Sequence, residues 1–552
     1  MLLLVVLIPL FLLALLIPRV TRPHAVRLAP WAPIPALLLA LFEPADAYAE
    51  LPALLLGMHL GLDGIGRVFL LFTAVVCLAA GWYARAWFAD EARAGRFGGF
   101  FLAAQAGNLG VCIAQGAVDF YVFFALMSFA AYGLVIHDGS TAARRAGRVY
   151  LALTVVGEML ILAGLMLLVA GFDSNRFADF RVGTAEPAYL VAAAWCVLLG
   201  FGVKTGLPLL HFTLPLAYAA IPVPAGAVLA GVMIKAGVLG WVRFLPLGEV
   251  AWPVFGALVM VIGLAAIFLG AVIGLTQRDP AALLGYSSIS QMGYLVVALG
   301  AALVEPGLWP ALALAVTLYA THHALAKSAL FLGLGIVARR GMTPWVAAGL
   351  ALPVLALAGA PLTSGLLAKT ALKSGLAGLP EPWAAWLPVL LTLGAFTTAL
   401  LMLRWLWLVR ATRVRPEQAV SELLPGWVLL LCGVIAMTLL LAPTDAWRTT
   451  LRAAALADAI WPILVALALA AFAAWRGLRV PNIPPGDLLI PIETSLAALA
   501  SWRDSVHAPL VTPEVPRAAV RSPWVEARLR TWPVAGMLWL VLFAVLVLSL
   551  GI

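Results

Sequence analysis

Long apolar runs, interrupted by proline, glycine or charged residues, repeat along the whole chain. Many of them reach roughly 18 residues or more, which as a helix crosses a hydrocarbon layer about 30 Å thick. The pattern therefore predicts an all-α polytopic membrane protein with about 16 spans. These lie near 1–18, 28–44, 66–88, 98–116, 118–136, 149–171, 188–209, 224–245, 253–275, 284–304, 309–335, 345–375, 386–410, 424–442, 458–476 and 534–551.

Two segments do not fit a simple series of spans. The run from Met1 to Ile17 is apolar from its start, with no basic stretch before it and no small-residue cleavage site after it. We expect it to be a retained helix and not a signal peptide. The polar region 477–533 contains prolines too closely spaced for one long helix. It predicts a cytoplasmic strap with a short surface helix around 496–506, and a mere linker is the alternative.

Arginines predict the orientation of the spans. The loops 19–27, 85–97, 137–148, 276–283, 336–344 and 410–423 hold 15 arginines in total. The loops 45–65, 172–187, 246–252, 305–308, 376–385 and 444–457 hold 4. Because cytoplasmic loops of membrane proteins are enriched in basic residues, both termini are expected outside a bacterial-type inner membrane.

Composition supports a membrane protein and removes other classes. The chain has 552 residues, 64% of them hydrophobic and 11% charged, and its mean hydropathy is +1.06. Its net charge of +9 comes largely from arginines in loops, so nucleic-acid binding is not expected. The four cysteines lie in apolar runs without metal or cluster spacing. We expect no cofactor and no metal in this chain.

Ionisable residues inside predicted spans are the candidate functional groups, because burying a charge in a bilayer is costly. One carboxylate, several lysines and several histidines could pass protons in sequence, whereas a structural ion pair needs two members. For any single residue, a structural pair or a lysine reaching the interface remains the alternative. The candidates are Glu158, Lys204, His211, Lys235, His322, His323, Lys327, Lys369 and Lys373, of which Lys373 lies nearest a span end.

Two of these spans are expected to be broken. Pro208 follows Lys204 after one turn, and Pro361 with Gly365 precedes Lys369. Discontinuous helices in corresponding positions of two halves are typical of a transport path. Backbone carbonyls freed at such a break could hold water or a cation. A simple proline kink is the alternative for either helix alone.

The motifs at these positions are specific. Lys204 is followed by Leu-Pro-Leu-Leu-His211 and by Pro215, and Lys235 stands in Met-Ile-Lys-Ala-Gly. The chain continues with Leu283-Leu-Gly-Tyr-Ser-Ser-Ile-Ser-Gln-Met-Gly-Tyr and with His323-Ala-Leu-Ala-Lys-Ser-Ala-Leu-Phe. Over roughly 60–410 the sequence resembles the antiporter-like subunits of respiratory complex I, of Mrp-type cation/proton antiporters and of energy-converting hydrogenases.

The resemblance implies a core of 14 helices with two inverted five-helix repeats, each holding a broken helix, plus about two extra C-terminal helices. It implies a mid-membrane axis through Lys204, Lys235, His323, Lys327 and Lys369. The expected regions are 1–97 (N-terminal helices), 98–245 and 246–410 (first and second repeat), 411–476 (C-terminal helices), 477–533 (strap) and 534–552 (last helix).

One departure from the family pattern changes the expected site. The family's glutamate, in a helix reading Phe-Trp-Glu-Leu-Met-Ser, is replaced by Ala125 in Phe120-Tyr-Val-Phe-Phe-Ala-Leu-Met-Ser. The usual partner of Lys204 is therefore missing. Glu158, on the next span, resembles an acidic position of some family members and is expected to take that role.

The sequence leaves several functions open. The first is a proton-translocating subunit, with sodium as a second candidate ion, in a larger redox-driven or antiport complex of membrane subunits. The second is the proton-conducting subunit of a bicarbonate uptake complex, and the third is a non-pumping scaffold of the same fold. An independent solute carrier is a further alternative. Whether the chain belongs to an enzyme such as a translocase stays open, because it contains no redox or hydrolytic motif.

Overall fold

The computed structural model describes most of the chain as helix. The described residues are 1–44, 47–55, 57–89, 91, 93–180, 187–412, 420–439, 447–448, 450–478, 480–486, 489–490 and 494–495. The chain forms two compact units, Met1–Ala49 with His59–Asp487, and Glu50–Met58 with Leu488–Ile552. Every α-helix named below belongs to the first unit.

The α-helices follow one another along the chain. They are α1 (Leu2–Leu15), α2 (Arg22–Leu28), α3 (Ile34–Phe42), α4 (Gly64–Trp87), α5 (Ala94–Ile113), α6 (Ala117–Val135), α7 (Thr141–Phe172), α8 (Pro187–Thr205), α9 (Thr213–Ala220), α10 (Val223–Val228), α11 (Ile234–Phe244), α12 (Pro253–Thr276), α13 (Pro280–Val304), α14 (Trp309–Arg340), α15 (Pro344–Ala358), α16 (Ser364–Gly375), α17 (Trp383–Arg410), α18 (Leu424–Leu439) and α19 (Ala453–Trp475).

Short elements connect some of these helices. A π-helical turn, Leu229–Met233, lies between α10 and α11. The strands β1 (Tyr48–Leu51) and β2 (Met58–Gly61) form a two-stranded sheet. Single 3₁₀ turns lie at Ala29–Trp31, Phe177–Asp179, Pro306–Leu308 and Val420–Glu422.

The predicted class is confirmed. Among the described residues, nine helical segments are long and apolar enough to cross a membrane, and four shorter helices are also apolar. The predicted span 28–44 is built from α2, a 3₁₀ turn and α3, because prolines interrupt regular helix there. The predicted span 534–551, the surface helix 496–506 and most of the strap lie outside the described residues.

Both helix breaks expected beside lysines are present in the structure. Helix α8 ends at Thr205, where Gly206 adopts a left-handed φ of +84°, and α9 begins at Thr213. Helix α15 ends at Ala358, followed by Gly359 with a φ of +84°, and α16 begins at Ser364. Glycine adopts this conformation without a Cβ clash, so each glycine allows a sharp end to its helix.

Helices α12 and α13 pack through glycines that recur every seven residues. An added Cβ at Gly263 would lie 2.8 Å from the Gly293 carbonyl oxygen, and one at Gly293 would lie 2.5 Å from that of Gly263. The same close approach recurs between Gly256 and Gly300. Small residues at helix interfaces in membranes allow such contact between backbones. The backbones of α12 and α13 therefore pack in direct contact.

We expect Gly293→Ala to destabilise the protein by about 1–3 kcal/mol, since the added methyl group must push α12 and α13 apart. Thermal unfolding in detergent, followed by tryptophan fluorescence, measures this as a lower midpoint. Gly64→Ala is the matched control, because nothing lies within 4 Å of a Cβ added there. Equal midpoints for Gly293→Ala and Gly64→Ala would contradict the described packing.

Candidate functional site

A close crossing of α7 and α8 positions the first candidate residues. A Cβ added at Gly157 would lie 3.2 Å from the Gly200 carbonyl oxygen, and one at Gly200 would lie 3.0 Å from that of Gly157. Glu158 follows Gly157 on α7, and Lys204 lies one turn beyond Gly200 on α8. The small residues thus bring these two charged side chains to the same place in the bundle.

Lys204 is buried and held by polar groups from two other helices. Its Nζ donates to Tyr150 Oη of α7 at 2.8 Å and to Ser128 Oγ of α6 at 3.2 Å. The ammonium also lies 5.2 Å from the ring centroid of Tyr150 and 5.9 Å from that of Phe124. Two hydroxyl acceptors and two ring faces therefore surround this cation.

Ser128 links Lys204 to the carboxylate. Its hydroxyl, which accepts from Lys204 Nζ, also acts electrostatically on the Glu158 side chain, which is only 2% exposed and whose Oε2 has no hydrogen-bond partner among the described residues. Glu158 and Lys204 also line a small cavity of ≈ 10 Å³ together with Ser128 and Thr154. Its volume is at the lower limit for one water molecule. The acid and the base thus share one cavity and one hydroxyl neighbour, Ser128.

The middle of the site contains two buried lysines with backbone acceptors. Lys235 Nζ donates to the Ala230 carbonyl oxygen at 2.6 Å, in the π-helical turn that precedes α11. Lys327 Nζ, from α14, donates to the Leu284 carbonyl oxygen of α13 at 3.0 Å. Both lysines are fully buried, and a charge on one disfavours a charge on the other.

The two histidines of α14 extend this cluster. His323 is fully buried, and the charges of Lys235 and Lys327 act on its ring. Within the described part of the chain, neither of its ring nitrogens has a hydrogen-bond partner. His322 Nδ1 lies 2.9 Å from Ser364 Oγ of α16. The α14 histidines therefore lie between the Lys235–Lys327 pair and the second helix break.

Lys369 occupies that second break. Its Nζ donates to the carbonyl oxygens of Leu357 and Ala358, at 3.0 and 3.1 Å. These carbonyls belong to the last turn of α15, where no further helical N–H can reach them. The sequence predicts freed carbonyls at this break that could hold water or a cation, and in the structure these carbonyls accept hydrogen bonds from Lys369.

Lys373, one turn further along α16, is partly exposed and forms an ion pair with Asp458 of α19. Its Nζ also lies 2.5 Å from Thr392 Oγ1 of α17, which is 3.2 Å from Asp458 Oδ1. A second carboxylate therefore stands at the opposite end of the series of bases from Glu158.

His211 lies at the first helix break. It is buried in the connection between α8 and α9, with its ring centroid 4.6 Å from that of Phe212 and 6.1 Å from that of Tyr286. Its place at the first break keeps it a candidate for a path leading towards Lys204.

Three site residues, Ser128, Tyr150 and Asp458, could not be singled out from the sequence. Ser128 lies one turn beyond Ala125. A hydroxyl so close to the position of the missing glutamate was the sequence signal that could have identified it. Tyr150 stands at the boundary of a predicted span. Asp458 is the first residue of another, where a carboxylate usually means a solvated helix end.

The structure contains the buried bases in the order in which the sequence motifs hold them. It also contains the two helix breaks and the buried acid. The family described as NADH:quinone oxidoreductase/Mrp antiporter, TM matches residues 114–400, which include Glu158 and every candidate lysine. The chain belongs to this family. As a member of the NADH:quinone oxidoreductase/Mrp antiporter family, it is a multi-pass membrane protein.

Relatives in this family are subunits of several complexes. The chain is 28% identical to hydrogenase-4 component B of Escherichia coli, over 60% of this chain and 52% of that protein. It is 32% identical to NADH-quinone oxidoreductase subunit N of Desulforudis audaxviator, over 50% of this chain and 55% of that protein. The match thus spans about half the length of these curated relatives.

Solved structures share the antiporter family fold. The structural match to a chain of the Mrp complex from a Dietzia species covers 96% of this chain and 65% of that chain, with a TM-score of 0.66 and 22% identity. The match to a chain of the membrane-bound sulfane sulfur reductase, an archaeal respiratory membrane complex, covers 85% of this chain and 98% of that chain, with a TM-score of 0.66 and 18% identity. At these identities the likeness concerns the fold.

Proposed function

We propose that the chain is a proton-translocating subunit of a larger membrane complex, with sodium as a second candidate ion. The observation that supports it most is the series of buried bases Lys204, Lys235, His323, Lys327, His322 and Lys369, with a carboxylate beyond each end. Burying this many ionisable groups is costly, and a structural role would need fewer. The proposed order is Glu158 and Lys204, then Lys235, His323, Lys327, His322, Lys369 and Lys373.

The proposed fold detail is a 14-helix core of two inverted five-helix repeats, 98–245 and 246–410, each containing one of the two breaks. Residues 1–97 and 411–476 would flank the core, with the strap 477–533 and the last helix 534–552 beyond it. The corresponding breaks after Lys204 and before Lys369 support this assignment.

Glu158 acts as the acid that the family pattern places at position 125. The carboxylate favours a proton on Lys204, and Ser128 offers a hydroxyl between them. Movement of Glu158 away from Lys204 would remove that attraction and release the lysine's proton towards Lys235. The driving movement would come from partner subunits.

In the middle of the series, repulsion between neighbours drives the proton onward. A proton arriving at Lys235 disfavours one on Lys327, and His323 lies beside both with ring nitrogens able to accept and donate. Each lysine has a backbone carbonyl that accepts from it as an ammonium or as a neutral amine. Neither protonation state leaves a lysine without a hydrogen bond.

Redox or antiport partners would supply the energy, in a bacterial-type cytoplasmic membrane with both termini outside. The hydrogenase, quinone oxidoreductase and Mrp relatives support partners of this kind. Affinity purification of the full chain from its native membrane, followed by reconstitution into vesicles, tests the proposal. When the purified complex is supplied with the energy source of its redox or antiport partners, one side of the vesicle membrane should become more acidic. Adding sodium to the other side then distinguishes proton transport alone from cation/proton exchange.

The co-purified subunits give the second readout. Iron–sulfur subunits or small Mrp-like membrane proteins would support the proposed complex, whereas a large soluble zinc protein would favour bicarbonate uptake. A driven complex that leaves the pH on both sides of the vesicle membrane unchanged would contradict proton translocation.

A further inference from the structure

The connection between α6 and α7 holds three arginines close together. Arg96, Arg93 and Arg144 donate to the backbone carbonyl oxygens of residues 137, 138 and 139, in that order, at 2.5, 3.3 and 2.9 Å. Arg93 and Arg96 belong to the start of α5, and Arg144 belongs to the first turn of α7. Three consecutive carbonyls therefore fix three guanidinium groups from two helices side by side.

These guanidinium groups keep most of their hydrogen-bonding capacity. Each guanidinium has five N–H donors, and within the described part of the chain each of the three uses one on a carbonyl. Arg148 lies one turn beyond Arg144 on α7, so it stands on the same helix face. All four side chains are exposed. Arg93, Arg96, Arg144 and Arg148 are called the arginine cluster below.

Acidic residues do not cancel the charge of the arginine cluster. The loops 85–97 and 137–148 together hold six arginines and three acids. One of these acids, Glu91, already forms an ion pair with His137, whose Nε2 lies 3.2 Å from Glu91 Oε1. Guanidinium groups match the geometry of phosphate oxygens and often bind them in pairs. The arginine cluster therefore has the charge and the donors to bind a phosphate group.

An exposed face of α7 continues from the arginine cluster towards the middle of the membrane. Arg144, Arg148, Val155, Met159 and Met166 follow one another at intervals of four and seven residues, which places them on one side of the helix. Val155 is 42% exposed, Met159 54% and Met166 64%. At 1.5 Å per residue, Met159 lies about 16 Å beyond Arg148 along the helix. This distance is close to half of a hydrocarbon layer about 30 Å thick, which one acyl chain fills.

We propose that the arginine cluster and this face of α7 bind an anionic phospholipid, with its phosphate at the guanidinium groups and an acyl chain along Val155 and Met159. The predicted span 149–171 begins directly after Arg148, which places the arginine cluster at the depth of lipid headgroups, on the side expected to be cytoplasmic. An acidic peptide of a soluble partner would use the arginines but would leave the apolar face uncovered. The proposed site does not depend on proton movement through the chain.

Native mass spectrometry of the purified full chain in a mild detergent tests the site. Phosphatidylglycerol and phosphatidylcholine with the same acyl chains are added in equal amounts, and the retained lipid is measured. We expect phosphatidylglycerol to be retained in preference, because the two lipids differ in headgroup charge. Arg93→Gln combined with Arg144→Gln should weaken this retention by at least about fivefold, the factor that one basic residue contributes near an anionic membrane surface.

Arg278→Gln combined with Arg340→Gln is the matched control. It removes the same charge from two exposed arginines in other loops of the same expected side, and it should leave phosphatidylglycerol retention unchanged. Arg148→Gln is the second test variant, because the three carbonyl hydrogen bonds come from other arginines and the local fold should persist without it. It should weaken retention by about fivefold.

Three results would overturn the proposal. Equal retention of the two lipids, or an equal loss in the test pair and the control pair, would show that no site recognises the anionic headgroup. Displacement of phosphatidylglycerol by inorganic phosphate would show that the arginine cluster binds a free anion and that the acyl chain adds nothing. Release of a partner subunit from the complex by the Arg93 and Arg144 substitutions, with lipid retention unchanged, would identify a subunit interface instead.

Discussion

Glu158→Gln should reduce ion-coupled activity of the purified complex by at least about tenfold, since making one proton transfer roughly 1.4 kcal/mol harder already has that effect. Glutamine keeps the size of the side chain but removes the charge that favours a proton on Lys204. Lys204 retains Tyr150 Oη and Ser128 Oγ as acceptors, so the local fold should persist. Rate measurements on the reconstituted complex report the change.

Glu305→Gln is the control for that experiment, because Glu305 is exposed and lies outside the series of bases. It should match the wild type. If Glu158→Gln also matched the wild type, Glu158 would not have taken over the role of the residue missing at Ala125.

Lys327→Met should lower proton flux by at least about tenfold, while leaving the unfolding midpoint unchanged or higher. Methionine fills a similar volume without burying a charge beside Lys235 and His323. The Leu284 carbonyl keeps a hydrogen bond from Ser288 Oγ at 3.0 Å, so no buried acceptor is left unpaired.

The pairing of flux with stability makes this variant informative. Thermal unfolding in detergent and proton flux in vesicles are measured on the same preparation. Lost flux with a lowered midpoint would indicate a structural lysine, and retained flux would remove Lys327 from the path.

Much of the fold could be predicted because a bilayer selects long apolar runs, and these are visible in one sequence. The two helix breaks were also predictable, since proline and glycine beside Lys204 and Lys369 interrupt helices through local backbone chemistry. Helix α7 extends over Thr141–Phe172 and not the predicted 149–171, because its first turns are polar and hydropathy does not detect them.

The site was less predictable where it depends on packing between distant segments. Lys373 and Asp458 lie 85 residues apart, and each stands near a predicted helix end, where a charge is ordinarily solvated. The contact between Ser128 and Lys204 depends on how α6 and α8 face each other, which periodicity does not determine. The π-helical turn before Lys235 likewise has no sequence signal of its own.

The most direct test of the account is proton flux through the complete purified complex in vesicles, compared between the wild type and Lys204→Ala. Lys204→Ala should lower the flux by at least about tenfold, because the substitution removes the base that joins Glu158 to the rest of the series. Equal flux in the two proteins would contradict it and would identify the chain as a scaffold that retains the fold without moving protons.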